Sequence, residues 1–318
     1  MLVSEVAYTA RRRPSPRIGG QLALRRKEGR TAYIFLVPWL IGLVVFVFGP
    51  MVVSLYLSFT DYDFLRPAKF VGLENYARMF VDGRFIKSAE VTVVYIVLAV
   101  PLQLAFALLM ALLLNRQIRG VGVYRGVFYL PSLLGSSVAV AVLWDQIFGT
   151  EGLVNQILKV FGVSSSTSWV GSPDTALLTL VLLNVWAFGS PMIIFLAGLR
   201  QIPQEVLEAA RVDGAGKVRT FLYVILPLLS PIIFFNLILQ TIFSFKAFVP
   251  AFIVSGGTGG PSDSTLFYTL YLYQEGFGSF RMGYASAMGW VLLLAIGIVT
   301  AINFVLSRFW VFYGDENQ

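Results

Sequence analysis

Apolar residues in this chain come in long blocks rather than in alternation with polar ones. Six blocks, at about 33–59, 89–114, 124–148, 175–199, 221–246 and 283–306, carry almost no charge. Each is long enough as a helix to cross about 30 Å of hydrocarbon, which takes roughly 20 residues. The pattern predicts six transmembrane helices joined by polar segments. Several blocks contain proline: Pro50, Pro101, Pro131, Pro191, Pro227 and Pro231. Each removes a backbone hydrogen bond and presses on the preceding turn, so kinked helices are expected, and Pro227 and Pro231 are candidate hinges.

Composition agrees with the pattern. Of the 318 residues, 57% are hydrophobic and 13% charged, against about 45–50% and about 25% in a soluble domain. One soluble core cannot hide that much apolar surface, so lipid solvates the remainder. Cysteine and histidine are absent, which excludes disulfides, thiolate chemistry, imidazole metal sites and the usual proton shuttle. No catalytic or metal-binding constellation is evident.

The net charge of +7 is placed to suit a membrane rather than a nucleic acid. Residues 1–32 form a basic arm with Arg11, Arg12, Arg13, Arg17, Arg25, Arg26, Lys27 and Arg30. With this arm inside, the inner segments are 1–32, 115–123, 200–220 and the tail from about 307, with 311–318 beyond the last apolar block. Together with the adjoining span end they hold about 16 of the 24 basic residues, the others being Arg116, Arg119, Arg125, Arg200, Arg211, Lys217, Arg219 and Arg308. The positive-inside bias therefore puts both termini in the cytoplasm. The first block is too long for a signal-peptide core and reads as a retained anchor.

Gly214-Ala215-Gly216-Lys217 raises the question of a phosphate-binding loop. That loop needs G-x-x-x-x-G-K-[ST] after a strand. Arg211 stands where the first glycine belongs, Val218 follows the lysine, and the residues before it are helical in character. The nucleotide reading fails. The segment instead predicts a short amphipathic helix and a turn leading into the next span. Pro203 suits its start and Glu205 and Glu208 its positive end. Gln204, Glu208 and Arg211 share one face, and Val206, Leu207 and Ala210 the other. Gly214 can end the helix in a left-handed conformation. Two readings fit: a knob presented to a protein partner, where small Ala209 and Ala210 permit close approach, or an interfacial helix lying on lipid.

The same residues carry a resemblance. Glu208-Ala209-Ala210, Asp213-Gly214-Ala215, Leu226-Pro227 and Pro231 resemble, in type and spacing, the EAA motif of the membrane subunits of ABC importers. "SLYLSFTDYDF" (54–64), "FVGLENYARMF" (70–80), "YRGVFYLPSLL" (124–134), "GLRQIPQEVLEAA" and "GGTGGPSDSTLFYTLYLYQEGF" (256–277) are similar to permeases of carbohydrate importers, and among these to a short form of the maltose-type first permease subunit. Phe248-Val249 departs from the Phe-Asp pair common before the glycine-rich loop. The resemblance covers about residues 33–310 and implies an all-α, six-helix type I importer permease in a bacterial or archaeal plasma membrane, with residues 204–231 as its ATPase-coupling segment. It also implies partners: a second permease subunit, two ABC ATPases that use ATP and magnesium, an extracytoplasmic solute-binding protein, and a sugar as cargo. The chain itself would hold no cofactor and would not be an enzyme. Glu208, Ala209, Ala210, Asp213, Gly214 and Ala215 would couple to the ATPase.

Polar side chains within a span are costly and therefore informative. Asn184, and Gln240 with Ser244 four residues on, are candidate sugar ligands, with Trp186 and Phe188 as stacking rings. Each also fits an interhelical packing bond. Lys246 either snorkels to the interface, pairs with an acid or attracts an anionic substrate. An ion-coupled secondary transporter is the rival class; it usually needs a buried acid or histidine, and Glu90, Asp145 and Glu275 fall near span ends or in loops.

Overall fold

The structure, a computed structural model, describes residues 35–115, 120–135, 137–162 and 167–312. The basic arm 1–32, Arg116, Arg119 and residues 313–318 of the tail lie outside the described residues. The chain divides into two units, Met1–Tyr56 and Leu57–Gln318. The first span, Phe35–Ser58, belongs almost wholly to the former. Its apolar side chains, including Phe35, Trp39 and Phe46, are exposed along its length, as suits a helix solvated by lipid.

In the second unit, Gly83–Leu114, Lys217–Val254 and Met282–Ser307 are helical stretches long and apolar enough to cross a membrane. Two further crossings are bent pairs: Val121–Leu134 with Val138–Val160, at 93°, and Ala176–Trp186 with Gly189–Leu199, at 42°. Counting each pair as one crossing gives six spans. Two expectations need correction here, because neither the third block (124–148) nor the fourth (175–199) forms one continuous helix. In the third, Gly135 ends the first helix and Ser137, in extended conformation, caps the second by accepting from Val140 N at 3.3 Å. The fourth breaks at Ala187, four residues before Pro191.

The prolines act in two ways. Pro50 and Pro227 each follow a five-residue π turn, Val44–Phe48 and Phe221–Ile225, that ends two residues before the ring. The wide turn gives room where the ring would press on the carbonyl four residues back. Pro231 instead leaves the Pro227 carbonyl without its helical donor. Ser230 Oγ donates to that oxygen at 2.6 Å, and the helix Leu226–Phe245 runs on unbroken.

The second span carries a stripe at four-residue spacing: Val91, Tyr95, Ala99, Gln103, Ala107 and Ala111, all buried. Residues four apart share a helix face, and this one meets both halves of the fourth span. Above Gln103 the stripe joins an apolar cluster with Leu180, Val181, Phe267, Tyr271 and Met288. Below it, a second cluster gathers Phe188, Met192, Phe195, Leu199 and Leu229. Close approach in these clusters needs glycine. A Cβ on Gly189 would strike the Phe128 carbonyl and the Tyr129 backbone of the third span, and one on Gly198 would strike Ile232 and Leu229.

Asp82 ties the first cluster together. Its Oδ1 caps the second span, accepting from Arg84 N at 3.0 Å and Phe85 N at 3.2 Å. Its Oδ2 accepts from the hydroxyls of Tyr271, at 2.6 Å, and Tyr284, at 2.8 Å. Beside it, Arg84 makes a two-pronged bond to Asp263 at 2.8 and 3.0 Å, holding the glycine-rich loop. Burial opposes the charge of Asp82, but the hydrogen bonds from Tyr271, Tyr284 and the two amides outweigh it, so the carboxyl lies below its ordinary 3.8.

Two predictions concern stability. Asp82→Ala removes a cap and two tyrosine bonds and is expected to cost roughly 2–4 kcal/mol, read as a lower unfolding midpoint of the purified protein. Because folding depresses this pKa, the contribution of Asp82 is complete above the unfolded value and is lost as pH falls through the lower, folded one. The wild-type advantage over the variant is therefore constant from pH 7 to 5 and shrinks only below about 4. Asn236, fully buried in the fifth span, has neither amide atom hydrogen-bonded among the described residues. Asn236→Leu, of similar volume, relieves an unmet desolvation cost of about 1–3 kcal/mol and is expected to raise the same midpoint.

Candidate functional site: a polar cavity at a helix break

Pro191 has no N–H, so the Ala187 carbonyl four residues earlier loses its helical partner. In a membrane that oxygen must be satisfied from within the protein. Two donors from other spans reach it: Gln103 Nε2 at 3.1 Å and Ser132 Oγ at 3.2 Å. Ser132 Oγ in turn accepts from Ser190 N at 2.7 Å, and Gln103 Oε1 accepts from Asn184 Nδ2 at 3.0 Å. Spans two, three and four are thus locked together around one break.

Beside this network lies a cavity of about 460 Å³, within the range of small-molecule sites. Gln103, Ser132, Asn184 and Ser190 form one wall, and Gln240, Phe243, Ser244, Lys246 and Phe248 of the fifth span and its end form another. Gln240 and Ser244 share a helix face, are nearly buried, and have no side-chain hydrogen-bond partner among the described residues. The side-chain oxygen of Asn184, Oδ1, likewise has none among them. The lining therefore offers unused neutral donors and acceptors beside aromatic rings, an arrangement suited to a polyhydroxylated ligand with apolar ring faces.

The structure brings Asn184, Gln240 and Ser244 together as one lining. Phe188 does not line the cavity. The chain turns by 42° at the preceding break, and the ring is buried against Phe106 and Phe128, with centroids at 4.8 and 6.2 Å. Trp186 packs near Trp144, at 6.0 Å. Phe243 and Phe248 occupy the lining in place of the stacking rings expected on the fourth span. Gln103 is a lining residue that the search for polar positions passes over, although its signal is present: it is the one amide in an otherwise apolar stripe at four-residue spacing.

The segment carrying Glu208 forms a helix, Gln204–Val212, whose N-cap position is Pro203. It closes with both bonds of a Schellman motif: Gly214 N to Arg211 O at 3.0 Å and Ala215 N to Ala210 O at 2.9 Å, with Gly214 at φ +75°. Asp213 is the C-cap residue. Leu207 packs toward the second cluster. Glu208, Ala209, Arg211 and Asp213 are exposed, and no ion pair among the described residues involves them. From Lys217 the chain runs as one helical stretch to Phe245, past Pro227, Pro231, Gln240 and Ser244.

Residues 76–312 match the family model described as "Binding-protein-dependent transport system inner membrane component". The probable ABC transporter permease protein YesP of Bacillus subtilis is 49% identical over 294 residues, 92% of this chain and 95% of that protein. The trehalose/maltose transport system permease protein MalF of Thermococcus litoralis is 32% identical over 280 residues, 87% and 94% of the two chains. The lactose transport system permease protein LacF of Rhizobium radiobacter is 30% identical over 291 residues, 90% and 97%. In fold, the chain is similar to a bacterial alginate ABC transporter solved with a pentasaccharide-bound periplasmic protein, with a TM-score of 0.77 at 21% identity, covering 89% of this chain and 95% of that one. The matched region holds the cavity, the broken fourth span and the Schellman-closed helix alike, and the chain belongs to the family of binding-protein-dependent transport system inner membrane components, as a multi-pass permease subunit of an ABC importer.

Proposed function

We propose that this permease moves a sugar or oligosaccharide, handed over by an external solute-binding protein, through the cavity at the break of the fourth span. The cavity lining carries the proposal. Unused amide and hydroxyl groups of Asn184, Gln240 and Ser244 stand beside the Phe243 and Phe248 rings, a pairing that suits the polar edge and apolar face of a sugar. Saccharides are also what the names of the lactose and trehalose/maltose relatives specify for those proteins. An ion-coupled carrier is not favoured: the lining contains no carboxylate among the described residues, and the family is binding-protein-dependent.

The helix Gln204–Val212 serves as the handle for a cytoplasmic ATPase that consumes ATP and magnesium. Glu208 meets basic groups of that partner, Ala209 and Ala210 allow close approach, and Asp213, Gly214 and Ala215 make the tight turn. From Lys217 to Gln240 the helical stretch spans about 35 Å at about 1.5 Å per residue, so a push on the handle is carried directly to the cavity. The π turn before Pro227, and Pro231 beyond it, are the places where this rod can flex. In this reading both termini are cytoplasmic, a second permease subunit supplies the other half of the path, and two ATPase subunits sit beneath the pair.

Two measurements test the reading. Glu208→Lys reverses an exposed, unpaired charge, so insertion and unfolding midpoint should hold while ATP-driven sugar uptake by the reconstituted complex falls at least about tenfold, a loss of about 1.4 kcal/mol of coupling or more. Unchanged uptake, together with no ATPase co-purifying with the wild type, would refute the coupling role. Gln240→Leu removes a neutral hydrogen-bonding group from the lining and should raise the KM for sugar uptake by about threefold to tenfold. A KM unmoved by this change would place the path elsewhere.

A further inference from the structure

Most of the cavity lining is neutral and one side chain is not. Gln103, Ser132, Asn184, Ser190, Gln240 and Ser244 carry no charge, and Lys246 places an ammonium at the end of the fifth-span helix. Lys246 itself is exposed, so its ammonium is open to whatever occupies the cavity. The usual partner of such a group is an acid from a neighbouring helix. Among the described residues there are four ion pairs, Arg66–Asp63, Arg84–Asp263, Lys87–Glu90 and Arg281–Glu275, and Lys246 is in none of them. Its side chain makes no hydrogen bond among those residues either. Its one close electrostatic contact is the Phe243 ring, with Nζ 5.5 Å from the centroid, and a ring face leaves the ammonium's three N–H donors without an acceptor.

Snorkelling to the interface would explain a lysine whose stem lies along lipid. Lys246 instead lines the same cavity as Gln240 and Ser244, following the C-terminal end of the helix that carries them. Phe243, three residues earlier, lines the cavity too, so the ring and the cation face one compartment. The lining as described thus carries one positive charge and no acid.

We propose that the transported saccharide is acidic and that Lys246 receives its carboxylate in the cavity. This rests on the sugar-permease reading above and narrows it. A carboxylate suits one ammonium in an otherwise neutral lining, because a single charge meets a single charge. A phosphate group, with about −1.5 to −2 charges and three acceptor oxygens, would be left under-compensated by one lysine.

The test uses the complete transporter, this chain with its second permease subunit, ATPases and binding protein, reconstituted in liposomes. The probes are a disaccharide uronate, its carboxyl-reduced neutral counterpart, and the same disaccharide carrying a 6-phosphate. For wild type, uptake of the uronate should exceed that of the neutral sugar, and Lys246→Gln should lower the ratio of the two at least about tenfold. Lys246→Arg, which keeps the charge, should restore most of that ratio, and this rescue separates a role for charge from a role in packing. An unchanged ratio in Lys246→Gln, or a wild type that prefers the neutral sugar, overturns the proposal. A selective loss of phosphate-sugar uptake overturns the assignment of a carboxylate. If no saccharide of any charge is taken up while the assembled complex still hydrolyses ATP, the sugar reading itself fails, an outcome distinct from uptake of the neutral sugar alone.

Discussion

One carbonyl organises this permease. Pro191 strips the Ala187 oxygen of its helical donor, and hydrocarbon supplies no water to replace it. The donors that answer come from two other spans, Gln103 of the second and Ser132 of the third. Meeting a local backbone deficit therefore requires three spans to meet at one depth. The same requirement brings amides to that depth, where they would otherwise be too costly to keep. The cavity is the space beside the repair, and its polarity follows from the repair.

The other prolines show why only some breaks become sites. At Pro231 the orphaned carbonyl is answered by the neighbouring Ser230 hydroxyl, so no other span is recruited and the helix continues. At Pro227 a π turn absorbs the ring. The fifth span stays a single rod and can transmit force from the exposed helix at 204–212, while the fourth is broken and can build a site. At the far end, Asp82 fixes the frame by accepting four hydrogen bonds, from the start of the second span, from Tyr271 and from Tyr284. A carboxylate that satisfies two amide N–H groups and two hydroxyls at once makes the meeting of these segments a defined geometry.

Much of the site is legible in the amino-acid sequence, and the physical reason is cost. A polar side chain inside an apolar block is conspicuous, so Asn184, Gln240 and Ser244 stand out, and the cavity gathers all three. The turn at Gly214 is legible because a left-handed residue after an amphipathic helix calls for glycine. Phe188 is hard to place because in a chain with 27 phenylalanines no single ring is distinctive. Which way a ring faces depends on a 42° bend that its own sequence neighbourhood does not specify. Gln103 escapes notice for the opposite reason: its block is otherwise uniform, and only the four-residue stripe reveals the odd position.

Residue type and spacing are enough to establish the solvent and the elements. Block length, the scarcity of charge and the placement of basic residues make this a multi-pass membrane chain, and the motif at 208–231 points to its family, because these depend on nothing beyond the linear order of side chains. Tertiary structure decides which crossings break, which amides meet, which rings reach the cavity, and that Lys246 faces it with no acid beside it among the described residues. Those outcomes turn on where an orphaned carbonyl finds its donor, and the donor lies as many as 84 residues away in the chain.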